Sequence, residues 1–98
     1  MAKKVQSQLL VSEVTRDRAD ALALVRGEKR AEVYRLALEG GGLRQMEDDH
    51  QAQLAAFAEV AARMGLQPLD LARKAVQDGY TWEALKDRRT YPRARRTA

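Results

Sequence analysis

"KKVQSQLLVS", residues 3 to 12, alternates apolar residues with long polar ones. In an extended backbone Val5, Ser7, Leu9 and Val11 face one way, and Lys4, Gln6, Gln8 and Leu10 the other. The pattern predicts a short β-strand with one face fit for a core. Nothing else in the chain reads as a strand. A lone strand leaves its ladder N–H and C=O groups unpaired and its apolar face bare. The economical solution is a second copy of the chain. That predicts a two-stranded antiparallel ribbon across a two-fold axis, with helices from both chains beneath it. Lys4, Gln6, Gln8 and Leu10 would then stand outward, doubled by symmetry.

Working outward, "SEVTRDRADALALV" carries helix-start chemistry. Ser12 is placed to act as N-cap, and Glu13 lies in the first turn, where the helix dipole favours an anion. Ala19, Leu22, Ala23 and Val25 fall at helical spacing, and Arg26-Gly27 reads as the stop. A second helix is expected from about Lys29 to Glu39, with Val33, Leu36 and Ala37 on one face. Three consecutive glycines, Gly40 to Gly42, cost too much backbone entropy to continue it. Beyond them "MEDDHQAQLAAFAEVAARMG" predicts an alanine-rich helix with an acidic first turn and a core stripe of Leu54, Phe57, Ala61 and Met64. "QPLDLARKAVQDGY" predicts a shorter helix with Pro68 near its first turn and Gly79 as its stop. Thr81 caps a further turn or two in "TWEALKDRR", where Tyr80, Trp82 and Leu85 form a small apolar patch. "RRTYPRARRTA" has five arginines and almost nothing to bury, which is the composition of a tail disordered until bound.

Ninety-eight residues make one domain, or one small domain plus an extension. Lys and Arg outnumber Asp and Glu by 18 to 14, a mild pointer to a polyanionic partner. There is no cysteine, so disulfides and thiolate metal sites are excluded. The apolar runs are too short to span a membrane and no signal peptide is visible, so a cytoplasmic protein is expected. No catalytic constellation is found. His50 follows "EDD", but a solvated acidic first turn accounts for Glu47 and Asp49 without a metal. The three glycines follow a helix and lack a Lys-Ser/Thr ending, so they are no phosphate loop. A non-enzymatic protein without cofactor or metal is expected.

Over residues 4–43 the chain resembles the ribbon-helix-helix (Arc- and methionine-repressor-like) DNA-binding family. Members often read as a strand, a "LPEEL…LDALA…G" helix and "GxSRSEVIREAL"; the corresponding stretches here are "VSEV…ADALALVRG" and "GEKRAEVYRLALEG". The resemblance implies a mainly α fold, a ribbon-helix-helix dimer with one N-terminal strand per chain, here followed by a helical C-terminal extension. It implies that the ribbon enters the major groove of double-stranded DNA. Gln6 and Gln8 would then read base edges, for which an amide has the donor and acceptor needed by adenine. Leu10, often polar or basic in the family, would meet a thymine methyl, or the local register differs by one. Lys3 and Lys4 would meet backbone phosphate, as would Lys29 and Arg30 at the start of helix 2, a general anion site. Arg88, Arg89, Arg93, Arg95 and Arg96 would add non-specific contacts that weaken with salt.

The expected organisation is a DNA-binding and dimerisation unit at 1–44, a helical extension at 45–87 and a basic tail at 88–98. Residues 46–87 could instead build tetramers or hold a protein partner. The function implied is a sequence-specific DNA-binding homodimer that represses transcription, including that of its own gene. A plasmid transfer or partition accessory protein and the antitoxin of a toxin–antitoxin pair share the family plan. A reading of another class is a small helical adaptor with no DNA partner.

Overall fold

The computed structural model describes residues 12–92, which form six helices and no strand. In chain order they are α1 (Glu13–Arg26), α2 (Arg30–Glu39), α3 (Leu43–Asp49), α4 (Gln51–Arg63), α5 (Pro68–Asp78) and α6 (Trp82–Leu85). Their starts and stops follow from local chemistry. The Ser12 hydroxyl accepts a hydrogen bond from the Thr15 amide at 3.1 Å, and the Thr81 hydroxyl accepts from Ala84 at 3.2 Å. Gly27 closes α1 at φ +70°, which turns the Glu28 amide back onto the Ala23 carbonyl at 2.9 Å. Pro68 opens α5, where its missing N–H costs nothing.

The expected ribbon-helix-helix fold does not hold. The described residues are all-helical and hold their core within one chain, whereas that fold needs a β-strand from each of two copies. The stretch read as a strand lies outside the described residues. The physical reason for the mismatch is legible in α1. Helical spacing puts its apolar positions on one stripe, yet all six residues from Ala19 to Leu24 are buried. Ala19, Leu22 and Ala23 pack with Val33 and Ala37 of α2 and Met46 of α3. Ala21 and Leu24 pack the other way, with Phe57, Val60 and Ala61 of α4, Leu71, Ala72 and Ala75 of α5, and Leu85 of α6. Alanine makes this possible: its small side chain lets α1 be approached closely on both flanks. The apolar surface of α1 is thus covered on both flanks from within the chain, by α2 and α3 on one and by α4, α5 and α6 on the other.

The polar residues of α1 then tie it to its neighbours one by one. Asp17 accepts from Arg73 of α5 at 3.4 Å, and Arg18 donates to both oxygens of Glu47 in α3 at 2.6 and 2.8 Å. Asp20 accepts from Arg30 of α2 at 2.6 Å, and Arg26 donates to His50 at 3.0 Å. The body measures 45 × 37 × 20 Å, a slab whose thin dimension holds two small apolar clusters rather than one deep core.

A single helix with an acidic first turn is expected after the glycines. Instead the stretch is broken at His50 into α3 and α4, and Glu47, Asp48 and Asp49 end a helix rather than begin one. A carboxylate is disfavoured at that end. Partners offset it: Glu47 meets Arg18, and Asp49 accepts from Gln45 at 3.1 Å. His50 sits in the break with Nδ1 2.9 Å from the Met46 carbonyl and Nε2 3.0 Å from Arg26. A carbonyl only accepts and a guanidinium only donates, so the ring proton is on Nδ1.

Candidate functional site

The turn between α1 and α2, residues 26 to 30, carries Lys29 and Arg30, which the family resemblance would make phosphate contacts. Lys29 occupies the N-cap of α2 and makes no side-chain capping hydrogen bond, so the first amides of the helix lack the partner a serine would give. Its own side chain is exposed. Glu28, which would repel a phosphate, is neutralised by Arg26, whose Nε and Nη2 reach its two oxygens at 2.6 and 3.1 Å. Arg30 is differently placed. Its Nε and Nη2 donate to the two oxygens of Asp20 at 2.6 and 3.3 Å, and the Asp20 side chain is 1% exposed. That contact raises the pKa of the Arg30 guanidinium and ties the group to a buried carboxylate. Lys29 is therefore the cation of the pair that has no carboxylate partner among the described residues.

The same turn forms one wall of an open groove of about 950 Å³. Leu24 and Val25 of α1, Val76 of α5, and Tyr80 and Trp82 line its apolar part, while Lys29 and Glu83 stand among its charged lining. Trp82 is fixed against Phe57, with ring centroids 5.4 Å apart. Tyr80 packs edge-on to Tyr91 at 5.7 Å, and the Tyr91 hydroxyl donates to Asp78 at 2.5 Å. Burial, and then the Asp78 carboxylate, push the Tyr91 phenol well above its usual range. The sequence reads Tyr80 and Trp82 with Leu85 as a small apolar patch, without Phe57 or Tyr91. It does not show that the 26–30 turn is the opposite wall.

The charges of the chain are segregated. Residues 12–92 carry 13 Lys and Arg against 14 Asp and Glu. The flanking stretches 1–11 and 93–98 carry five Lys and Arg and no acidic residue. The net charge of +4 thus comes entirely from the flanks. Lys3, Lys4, Gln6, Gln8 and Leu10 lie outside the described residues, as do Arg93, Arg95 and Arg96. Arg88 and Arg89 are described and exposed. Among the described residues no group of three or more His, Asp and Glu could hold a metal ion, and no helix is long and apolar enough to cross a membrane. Comparison with known proteins finds no matching family model, no matching curated protein and no matching solved structure.

Sequence reasoning misses Asp20 and Glu47 as organising residues. Each is a helix carboxylate of ordinary appearance, and nothing in the local sequence marks it as buried or paired to another helix.

Proposed function

We propose that this chain binds double-stranded DNA and acts as a transcriptional regulator, repressing its own gene among others. The observation that carries this reading is the charge segregation: a near-neutral helical body flanked by two stretches that are purely basic. A polyanion is drawn to such flanks, and release of its counterions drives the contact. Gln6 and Gln8 sit in the first flank beside Lys3 and Lys4, so base-reading amides are adjacent to phosphate-seeking amines. Lys29, exposed at the α2 N-cap, adds a phosphate contact on the body itself. A homodimer belongs to the same reading, since a palindromic operator matches a two-fold protein.

The test is a titration against the DNA just upstream of the gene and against a random duplex of equal length, at two salt concentrations. Preference for the upstream duplex that survives the higher salt supports the reading. Gln6→Ala with Gln8→Ala should then reduce that preference by about 1–3 kcal/mol per lost base contact. Deleting residues 93–98 removes three arginines and should lower the slope of log affinity against log salt by up to about 3, for specific and random duplexes alike. Absence of duplex binding at low salt would sink the reading.

A second reading is favoured by one observation. The groove beside Trp82 has an apolar floor and both signs of charge around it, as a protein partner's helix or loop would need. In that case the chain is a helical adaptor, and duplex binding would be weak and indifferent to sequence.

A further inference from the structure

Arginines from three helices line a second, smaller pocket. It encloses about 180 Å³ and is lined by Arg16 of α1, Arg30 of α2 and Arg73 of α5, together with Asp20, Val76 and Gln77. Like charges gathered this closely repel unless something offsets them. Two of the three are paired with carboxylates. Arg30 gives Nε and Nη2 to Asp20, and Arg73 gives Nη1 to Asp17 at 3.4 Å and Nη2 to Asp70 at 2.9 Å. Asp17 and Asp20 are buried, so these pairs fix where the two guanidinium planes lie. The Nη1 of Arg30 and the Nε of Arg73 are left without an acceptor among the described residues. The Arg16 side chain makes no hydrogen bond or ion pair with any described residue; its backbone amide donates to the Ser12 carbonyl at 3.0 Å. The Tyr34 hydroxyl, close enough to Arg30 and Arg16 to feel their charges, is buried without a hydrogen-bond partner among the described residues.

We propose that this pocket binds a phosphoryl group. Donors left over on three arginines from three directions suit a tetrahedral oxyanion better than a planar carboxylate, which one guanidinium can satisfy alone. The volume is roughly that of six liquid waters, room for a phosphoryl group and a few waters. Asp17, Asp20 and Asp70 balance the three arginines, so affinity for the free ion is modest and Arg16 supplies the surplus attraction. Because the occupant touches α1, α2 and α5 at once, binding braces the three helices against one another. The inference stands whether or not the chain binds duplex DNA. The group can come from a free phosphate or phosphomonoester, or from a duplex backbone.

The experiment uses the full chain, with inorganic phosphate titrated calorimetrically at constant ionic strength against a chloride control. Wild type should bind saturably, Arg16→Ala at least tenfold more weakly, and Arg16→Lys in between. Melting temperature without phosphate should be the same for all three, because the Arg16 side chain has no partner among the described residues to lose. If free phosphate does not saturate the wild type, the duplex arm decides. Loss of duplex affinity in Arg16→Ala, with a salt slope smaller by about one, assigns the pocket to a backbone phosphate. Phosphate binding that Arg16→Ala leaves intact overturns the proposal. So does a lack of both phosphate binding and any Arg16 effect on duplexes. Phosphate binding that depends on Arg16 in a protein indifferent to DNA upholds the pocket and overturns the duplex reading alone.

Discussion

Arg30 illustrates how one side chain changes meaning when its surroundings are known. Next to Lys29 at a helix start, it reads in sequence as a phosphate contact. In the fold its side chain is 39% exposed and paired with a carboxylate that is 1% exposed, so its first role is to neutralise Asp20. The two partners should respond unequally to removal. Arg30→Ala strands a buried carboxylate and should cost about 3 kcal/mol of stability. Asp20→Ala leaves a guanidinium that water can reach and should cost only about 1 kcal/mol. Urea denaturation of the two variants checks the order; equal losses would mean that Asp20 is not effectively buried. Gly27 is the opposite case, a residue whose role is legible at once. It sits at φ +70°, and a methyl group added there would meet only open space. Gly27→Ala should therefore cost about 1 kcal/mol through the backbone alone.

Helix ends are easier to read than helix faces. Ser12, Gly27, Gly79 and Thr81 act where their chemistry places them, because a cap is decided by neighbours within four residues. The faces of α1 are not legible, because alanine is compatible with burial and exposure alike. Only the helices that arrive some fifty residues later reveal that Ala21 and Leu24 are core. The break at His50 is hidden for a similar reason: the carboxylates that look like a helix start are held at a helix end by Arg18 and Gln45. The three-arginine pocket is invisible too, since Arg16, Arg30 and Arg73 share no local pattern. At the chain's end, Tyr91 and Pro92 sit within an arginine-rich stretch, yet Tyr91 packs against the core and Pro92 is buried. Ending the chain after Asp87 should therefore lower stability by about 2 kcal/mol through lost aromatic burial and the bond to Asp78. Ending it after Pro92 keeps that burial and that bond, and should retain their share of the stability. Thermal denaturation of the two truncations separates packing from charge.

At the scale of the molecule, stability should fall in alkali for an identifiable reason. Burial raises the phenols of both Tyr34 and Tyr91 above their ordinary value of 10.0. The folded state thus keeps protons that the unfolded chain gives up. Their contribution is complete below pH 10.0 and is lost as pH rises from there through the folded-state values. Denaturation midpoints between about pH 8 and pH 11 should decline more steeply for wild type than for Tyr34→Phe with Tyr91→Phe. Parallel curves would show that neither phenol is held neutral by the fold.

The central place of α1 has a consequence in time as well as in space. It is the first of the described helices to leave the ribosome, and half of its partners are the last to do so. Until Phe57, Val60 and Ala61, and then Leu71, Ala72, Ala75 and Leu85, have been synthesised, one flank of α1 lacks the partners it packs against among the described residues. Translation at roughly 5–20 residues per second leaves that flank uncovered for several seconds. During that interval the nascent chain is a natural client for a chaperone, or for any neighbour able to offer α1 a substitute surface.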